Sequence, residues 1–515
     1  MNVRAPGSAS IAYRARRHWN SLPARSRERI LVYVAVVILT TFRSAMFVFH
    51  APLDFDSDQA IVGLMAKDLI QGRAFPLFFY GQNYMLGVEA WFAAPVFLLA
   101  GVSVATLKLP LLIINLAAGL LLVRLLEREC GLRPSLGLVA GAFFILAPPG
   151  TSSHLLETTG GNVEPLFYTL LFWVTRRRPV WFGVILGLGF LQREFTIYPV
   201  IAIIVMLIAD RGWRKRDDWR LLARALRVAA EVWLVVQCLR PVASAAGPGT
   251  TIRAVSNLPS NNVIEMFRHM CFDARTMVGG FQRLATVHWA QLFGTAPLPA
   301  HAFGLESETS QGLTGSGFLL GVAMALMLWR IVLNARTQPE WWNRNRFAIY
   351  LVLVGAMSAG VYVLGRCGND SALRYDLLSL FGAVGLTAWF LTIEHQPLIR
   401  RLVVAVVIAW AVLSAVGHGR IWVEYTGNPP FVTKMAIIRN LEARGIKYAS
   451  SDYWIAYYIT FATNERIIVT PETFVRIPDY ERQVLEHRAE AIRISRTPCE
   501  GGKQIAEGVY FCAFE

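Results

Sequence analysis

The chain has 515 residues, a mean hydropathy of +0.43 and only 17% charged residues, which is too apolar for a soluble protein of this length. Its net charge is +15, but the arginines lie in short segments between apolar runs, as in the cytoplasmic loops of membrane proteins. This distribution excludes nucleic-acid binding as the reason for the positive charge. The six cysteines include no CxxC pair, so the sequence suggests neither a zinc site nor a redox motif.

The chain opens with a basic segment, residues 1–29, that precedes an apolar run at residues 30–50. The run is long enough to cross a bilayer. No small-residue cleavage site follows it, as a signal peptide would require. We therefore predict a retained first helix with its N-terminus in the cytoplasm.

Further apolar runs continue to residue 424 and are separated by basic clusters. They give eleven predicted spans, at residues 30–50, 104–125, 135–151, 162–175, 180–192, 197–210, 222–244, 313–334, 346–365, 376–393 and 401–418. With the N-terminus in the cytoplasm, all five later basic turns fall on the cytoplasmic side. The sequence thus predicts an all-α transmembrane domain at residues 30–424, whose outer side receives the long segments 51–103 and 245–312 and the tail.

Segment 51–103 contains two predicted helices that do not cross the bilayer. Met85–Gly101 is apolar but short and contains Glu89 and Pro95, and counting it as a span would move every later basic turn outside. Asp58–Gly72 places apolar side chains on one helical face, at Ile61, Leu64, Met65 and Leu69. We predict that both helices lie along the outer membrane surface as interfacial helices.

The tail, residues 425–515, is predicted to form a small extracytoplasmic α/β domain. Its strand-like runs are Tyr453–Thr460 and Ile467–Thr470, and its amphipathic helical patterns are Lys434–Arg444 and Tyr480–Ala491. Cys499 and Cys512 are thirteen residues apart, and we expect them to form a disulfide in an oxidising compartment.

Three carboxylates follow the first predicted span, at Asp54, Asp56 and Asp58. Acids this close to membrane depth are costly and are usually functional. A structural role competes with that interpretation, because Asp58 could cap the helix that follows and Asp54 could be a solvated loop residue.

A longer pattern runs through the same loop: Asp56-x-Asp58-x-Ala60, Gly72-Arg73, Tyr80-Gly-Gln-x-Tyr84, Glu89, Ala94-Pro95 and Lys108-Leu-Pro110. It resembles the first outer loop of GT-C-fold glycosyltransferases, and most of all the protein O-mannosyltransferase and aminoarabinose transferase group. Arg374-Tyr375 is similar to the start of a late helix in that group. The stretch Asp452–Tyr457 is similar to the C-terminal region of an uncharacterised bacterial branch.

The resemblance implies a GT-C fold in a bacterial inner membrane and transfer of a sugar from a polyprenyl-phosphate-linked donor to an extracytoplasmic acceptor. The position that matches the family's acceptor-activating acid is Asp58. The resemblance also implies substrate contacts for Gln82, Tyr84 and Glu89. It requires no cofactor, although Asp56 and Asp58 could share a divalent cation, as a pair of acids in this loop does in some members.

The residue types also fit the chemistry without the resemblance. An inverting transfer needs a base for the acceptor hydroxyl and cations for the leaving phosphate. Asp58 supplies the base, and Asp56 is the nearest second acid. The candidate cations for the donor phosphate stand at the outer ends of predicted spans: Lys108, Arg193, Arg366 and Arg374.

Other charged residues of the outer turns have a structural alternative. Glu164 begins a predicted span and could line the substrate cavity. His154 and Glu157 are expected to be solvent-exposed loop residues. Arg193 either faces the cavity or forms an ion pair with its neighbour Glu194.

Two other functions compete with a transferase. A transporter or flippase for lipid-linked saccharides would also place charges in membrane helices, but the sequence has no inverted repeat and its chemistry is gathered in outer loops. A polysaccharide polymerase or ligase would use a similar donor, and segment 245–312 is compatible with it. The sequence predicts a membrane glycosyltransferase whose acceptor is a glycolipid, a polysaccharide or a protein.

Overall fold

The computed structural model describes residues 21–50, 54–82, 84–210, 216–248, 270, 272–295, 315–335, 340–365, 373–427 and 433–514. Up to residue 443 its regular elements are helices. These are α1 Ala24–Phe49, α2 Ser57–Ile70, α3 Val88–Ala100, α4 Val104–Glu129, α5 Pro134–Ile145, α6 Pro149–His154, α7 Glu164–Thr175, α8 Pro179–Gln192, α9 Ile197–Ala209, α10 Arg216–Leu239, α11 Ala274–Arg283, α12 Trp289–Leu292, α13 Gly315–Ala335, α14 Trp341–Leu364, α15 Ser379–Ile393, α16 Pro397–Gly427 and α17 Thr433–Ala443.

The protein is a multi-pass membrane protein, and each of the eleven predicted spans overlaps a helix. Within the described residues, six helices are long and apolar enough to cross a membrane: α1, α4, α13, α14, α15 with the turn before it, and α16. α5, α8 and α9 are apolar but shorter.

α10 differs from its prediction as an apolar span, because it is strongly amphipathic and exposes basic side chains. It packs along α8, where a Cβ on Gly183 would lie 2.4 Å from the Ala225 carbonyl oxygen.

Both predicted helices of the first outer loop are present, as α2 and α3. The N-cap of α2 is Asp56, whose Oδ1 accepts a hydrogen bond from the Gln59 backbone N–H at 3.0 Å. The suggestion that Asp58 caps this helix is therefore wrong, because the cap lies two residues earlier. α2 is buried on nearly all its faces, more than its one-sided apolar pattern predicts, because α3 covers one side and the C-terminal domain covers another.

The C-terminal domain is a small α/β unit after α17. It contains β1 Tyr448–Ser451, α18 Tyr453–Ala462, β2 Ile468–Pro471, α19 Pro478–Glu486, β3 Ile492–Ser495, β4 Lys503–Ala506 and β5 Val509–Ala513. The sheet has the strand order β2-β1-β3-β5-β4, with β1 parallel to β2 and β3 and the last three strands antiparallel. The expected disulfide between Cys499 and Cys512 is confirmed, with Cα atoms 6.0 Å apart.

One secondary-structure prediction in this domain is wrong, because Tyr453–Thr460 forms α18 and not a strand. The helix begins at Asp452, whose side chain accepts a hydrogen bond from the Trp454 backbone N–H at 2.9 Å. Its residues are apolar on almost every face because it lies between the sheet and α2. A run that is buried all round loses the periodicity that separates helix from strand in a sequence.

The C-terminal domain and the first outer loop share one hydrophobic core. Buried residues of α2 and α3 cluster with those of α17, α18 and the sheet. The closest approach is at Gly63 of α2, where a Cβ would lie 2.4 Å from Cε2 of Phe461 in α18. A buried ion pair between Lys67 and Glu465 lies next to this core, and Arg73 Nη2 reaches Glu465 Oε2 at 3.0 Å. The end of the chain is therefore docked onto the loop that follows α1.

Candidate functional site

The three acids after α1 lie in a turn and in the first residues of α2, and the turn is tied to α4. Asp54 adopts a left-handed backbone conformation with φ 53°, which Asp tolerates better than most residues. Its carbonyl oxygen accepts hydrogen bonds from Lys108 Nζ at 3.1 Å and from Gln59 Nε2 at 3.0 Å. Asp54 is half-buried and its Oδ2 is shielded from solvent, so its expected role as a solvated loop residue is wrong. Lys108 itself is fully buried.

The charges around this turn influence one another. Burial and the charge of Asp58 raise the pKa of Asp56 to about 6. Burial and the Glu157 carboxylate raise the pKa of Asp54. Arg374 lies within electrostatic reach of both Asp58 and Glu157. Its Nε atom is buried and has no hydrogen-bond partner among the described residues.

An imidazole–carboxylate pair stands beside the acids. His154 Nδ1 lies 2.7 Å from Glu157 Oε1, and Asn162 Nδ2 donates to Glu157 Oε2 at 3.1 Å. Glu157 is 8% exposed, so the expectation of a solvent-exposed turn is wrong. Burial opposes charge on the His154 ring, but the Glu157 carboxylate outweighs it and raises the pKa of His154. The pKa of Glu157 is lowered for the same reason, since His154 outweighs the effect of burial.

A second cluster is built around Glu89 of α3. Its two carboxylate oxygens accept hydrogen bonds from the backbone N–H groups of Gly160 and Gly161, each at 2.7 Å. Both glycines have left-handed φ values, of 90° and 110°. A Cβ on Gly161 would lie 2.9 Å from Arg193 Cγ, so only glycine fits this close approach. The Glu89 carboxylate thus fastens α3 to the turn that carries Glu157.

Glu164 and Arg193 complete this second cluster. Glu164 is 1% exposed, and its Oε1 accepts a hydrogen bond from Gln192 Nε2 at 3.3 Å. Arg193 Nη2 donates to the Thr159 carbonyl oxygen at 2.7 Å, and no ion pair joins it to Glu194 within the described ranges. The Nε atom of Arg193 is buried without a hydrogen-bond partner among the residues that the structure describes.

Tyr84 lies between the two clusters. Burial raises the pKa of its phenol, while the nearby guanidinium groups of Arg193 and Arg476 oppose that shift. Gln82 lies in the preceding turn, where its backbone N–H donates to the Phe79 carbonyl oxygen at 3.0 Å and its Oε1 is shielded from solvent.

The C-terminal domain also reaches the acids. The hydroxyl of Tyr453, the first residue of α18, donates to Asp58 Oδ1 at 2.5 Å. Arg476 Nε donates in turn to the Tyr453 hydroxyl oxygen at 2.8 Å. Sequence reasoning missed both residues, because Tyr453 is 395 positions away from Asp58 and no spacing rule connects them.

No family model and no curated sequence matches the chain. Its fold is nevertheless similar to solved membrane transferases. ArnT from Cupriavidus metallidurans bound to undecaprenyl phosphate matches with a TM-score of 0.56 and 12% identity, over 94% of this chain and 97% of that one. The same protein in the apo state matches with a TM-score of 0.55 and 10% identity, over 90% and 92%. The Archaeoglobus fulgidus oligosaccharyltransferase in the apo form matches with a TM-score of 0.51 and 10% identity, over 91% and 69%. The chain has the GT-C fold.

This GT-C fold brings most of the predicted site residues into two neighbouring groups. Asp56, Asp58, Lys108 and Arg374 form the first group, and Glu89, Glu164 and Arg193 form the second. Gln82 and Tyr84 belong to the loop next to them. Arg366 lies outside the described residues, as do Cys271 and Cys367.

The acids of the GT-C domain do not form a metal cage in the described part of the chain. No group of three or more His, Cys, Asp or Glu side chains is arranged there to hold a metal ion. Asp56 Oδ1 is already engaged by the Gln59 N–H, so a cation between Asp56 and Asp58 would have to compete with the helix cap.

Proposed function

We propose that the protein is a glycosyltransferase that moves a sugar from a polyprenyl-phosphate-linked donor to a hydroxyl group of an extracytoplasmic acceptor. The observation that carries this proposal is the position of the Asp58 carboxylate at one end of a GT-C helix domain, where Tyr453 donates to its Oδ1 at 2.5 Å and Arg374 lies within electrostatic reach. A structural neighbour, ArnT, is bound to undecaprenyl phosphate, which is the type of lipid that such a donor would release. The acceptor is a glycolipid, a polysaccharide or a protein.

In the proposed reaction Asp58 is the general base. It removes the proton from the acceptor hydroxyl as that oxygen attacks the anomeric carbon from the face opposite the phosphate. The bond between the sugar and the polyprenyl phosphate breaks, and the configuration at the anomeric carbon inverts. Because Oδ1 of Asp58 is held by Tyr453, we assign the acceptor proton to Oδ2.

Cations near Asp58 stabilise the leaving phosphate in this mechanism. Arg374 is the favoured residue because its Nε has no hydrogen-bond partner among the described residues. Arg193 has a similarly unpaired Nε next to Tyr84. Lys108 contributes positive charge, but its Nζ is already committed to the Asp54 carbonyl oxygen. We therefore assign Lys108 a structural role, in which it holds the turn that carries the acids, and we assign the binding of the phosphate to the two arginines.

The proposed orientation puts this site outside the cytoplasm, in a bacterial inner membrane. On the side of the membrane domain away from the site, ion pairs join the ends of neighbouring helices. Examples are Arg29–Glu127 at 2.5 Å, Arg176–Glu129 at 3.0 Å and Arg346–Asp210 at 2.9 Å. These basic turns are the ones that the positive-inside rule assigns to the cytoplasm. Residues 1–29 would be cytoplasmic, residues 30–424 would form the membrane domain and residues 425–515 would be extracytoplasmic.

Asp58→Asn tests the proposed base. Asn has nearly the same size but no basic carboxylate, so we expect turnover to fall by about 10²-fold or more. The assay follows transfer of label from a polyprenyl-phosphate-linked sugar by purified protein supplied with envelope glycolipids, polysaccharides and proteins. Asp217→Asn, at an acid that is 87% exposed on α10, is the matched control and should leave turnover unchanged. Near-normal turnover of Asp58→Asn would exclude Asp58 as the base.

Arg374→Ala tests the donor site and should behave differently from Asp58→Asn. A guanidinium offers paired donors to phosphate oxygens that alanine cannot replace. We expect the KM for the donor to rise by about tenfold or more, with a smaller effect on the KM for the acceptor. Arg400→Ala, at a basic end of α16, serves as the control. If Arg374→Ala changed neither kcat nor the KM for the donor, the residue would have no part in binding or stabilising the donor phosphate.

A further inference from the structure

The Asp58 carboxylate is held by a hydroxyl from the C-terminal domain. Tyr453 Oη donates to Asp58 Oδ1 at 2.5 Å, and the tyrosine is half-buried against the core that α2 shares with the sheet domain. Hydrogen bonds from a hydroxyl to an ionised carboxylate are shorter and stronger than those between neutral groups. The contact therefore restricts the carboxylate that the proposed mechanism uses as a base.

Arg476 determines the direction of this hydrogen bond. Its Nε donates to the Tyr453 hydroxyl oxygen at 2.8 Å, and a guanidinium nitrogen can only donate. The hydroxyl proton must then point away from Arg476 and toward Asp58. Burial together with the Asp58 charge raises the pKa of Tyr453, which keeps that proton on the phenol.

Arg476 is itself fixed on several sides. Its Nη1 donates to the Tyr80 carbonyl oxygen at 3.2 Å, and its backbone N–H donates to the Tyr457 hydroxyl at 2.7 Å. The guanidinium carbon lies 5.0 Å from the Phe79 ring centre and 4.7 Å from that of Phe474. Phe474 has a left-handed φ of 61°, which bends the chain between β2 and α19 so that Arg476 can return to Tyr453. Strain of this kind is typically retained at functional sites.

We propose that Tyr453 is a positioning residue for Asp58, and that Arg476 orients its hydroxyl, so that the C-terminal domain completes the catalytic site. The proposal rests on the proposed function. Tyr453 acts through Asp58: it fixes one carboxylate oxygen and leaves the other to face the acceptor hydroxyl. Docking of the domain does not require this hydroxyl, because the shared hydrophobic core and the Lys67–Glu465–Arg73 cluster already hold the two parts together.

Among the described residues, Asp58 has charged or polar neighbours on at least three sides. Asp56 stands two residues earlier, Arg374 approaches from the turn before α15, and Tyr453 approaches from α18. Removing the Tyr453 hydroxyl takes away a donor to the ionised carboxylate while Asp56 still repels its charge. The acid limb of the pH profile of kcat/KM should then move toward higher pH.

Tyr453→Phe in the full-length protein tests the proposal, with Tyr480→Phe as the matched control. Tyr480 belongs to the same domain and donates to Glu465 Oε1 at 2.7 Å in the docking cluster, so its loss affects docking only. We expect Tyr453→Phe to lower kcat by about tenfold or more, to leave the donor KM nearly unchanged and to shift the acid limb. Tyr480→Phe should lower the melting temperature without moving the pH profile. An unmoved profile and normal kcat in Tyr453→Phe would overturn the inference while the proposed function stands.

A double variant distinguishes a role of Tyr453 through Asp58 from a direct role of Tyr453 on the substrate. If Tyr453 acts through Asp58, the double variant Asp58→Asn/Tyr453→Phe should turn over no more slowly than Asp58→Asn alone. A further drop of about tenfold in the double variant would mean that Tyr453 acts on the substrate directly, and would overturn the positioning role. Absence of sugar transfer by the wild-type protein in every acceptor fraction would overturn the proposed function and this inference together.

Discussion

At the scale of single residues, the side chains of the candidate site differ in how many of their buried polar atoms are already hydrogen-bonded. Asp56 caps α2, Lys108 holds the Asp54 carbonyl and Glu89 holds two backbone N–H groups. Arg374 and Arg193 each keep a buried Nε that has no partner in the described residues. Buried polar atoms without partners are costly, and in the proposed mechanism these two guanidinium groups would bind the phosphate of the donor.

Asp56 gives a prediction about stability and pH. Its pKa is raised from 3.8 to about 6, so the folded protein holds this proton more tightly than the unfolded chain does. The raised pKa therefore makes the folded state lose stability as the pH rises from about 4 to above 6, by about 2–3 kcal/mol for this shift. Asp56→Asn keeps a capping oxygen and removes the charge.

The expected result is a melting temperature above that of the wild type at about pH 8, with a smaller difference at about pH 5. Thermal unfolding of the purified protein in detergent at both pH values measures it. Asp452→Asn is the control, because Asp452 caps α18 in the same way but is half-exposed and ion-paired with Arg496 at 2.8 Å, so its loss should not give a gain in stability at high pH. A lower melting temperature of Asp56→Asn at high pH would contradict the assignment of a buried, repelled charge.

At the scale of elements, the packing of α2 against α18 determines whether the acids and Tyr453 meet. Gly63 is the contact point, since any side chain there meets the Phe461 ring. Alanine has the higher helix propensity by about 1 kcal/mol, but a Cβ only 2.4 Å from Cε2 of Phe461 forces the helices apart. The second effect is the larger one, because overpacking a closed contact costs about 1–3 kcal/mol and also displaces Asp58 relative to Tyr453.

Gly63→Ala should therefore lower the melting temperature and expose the C-terminal domain to limited proteolysis. Gly321→Ala is the matched control, because Gly321 lies within α13 and its Cβ would meet nothing within 4 Å. The control should be neutral or slightly stabilising. Combining Gly63→Ala with Phe461→Leu should recover part of the loss, and a Gly63→Ala protein as stable as the wild type would mean that the two helices are not in close contact.

The same elements explain what the sequence could predict. Hydrophobic runs and basic turns located the membrane helices, and the acids after α1 were recognised by their position in an apolar chain. α18 was missed because its faces are all buried, and α10 was predicted as a more apolar span than it is. His154 and Glu157 were expected to be exposed because they lie in a predicted loop, whereas Glu157 is buried and bonded to Asn162 and His154 is half-buried.

Tyr453 and Arg476 were not predicted as site residues for a different reason. The contact of Tyr453 with Asp58, which Arg476 supports through the Tyr453 hydroxyl, depends on the three-dimensional docking of the C-terminal domain, and no local pattern encodes that docking. Charged and aromatic residues in a tail of this kind are usually surface residues. Only the shared core of α2, α3 and the sheet domain turns them into neighbours of the site.

At the scale of the whole molecule, the arrangement of charges predicts the topology. The helix ends with arginine-rich turns should face the cytoplasm, and the end with Asp58, Arg374 and the C-terminal domain should face the other side. Alkaline phosphatase fused after residue 515 should be active, and the same reporter inserted between α13 and α14 should be inactive. A fluorescent protein that folds only in the cytoplasm should give the opposite result at both positions. A C-terminal fusion that is fluorescent would refute the orientation.

The distance along the chain between Asp58 and Tyr453 has a consequence for how the protein is made. The two residues are 395 positions apart, so α2 is synthesised long before α18 exists to cover it. Until then the Gly63 face of α2 has no partner, and chains of this length with distant contacts are prone to misassembly while they wait. A nascent chain would thus carry its acids in a loop that lacks the C-terminal domain, and Tyr453 would reach Asp58 only after that domain docks. If the proposed function is correct, the protein would therefore stay inactive until its C-terminal domain has been synthesised and docked.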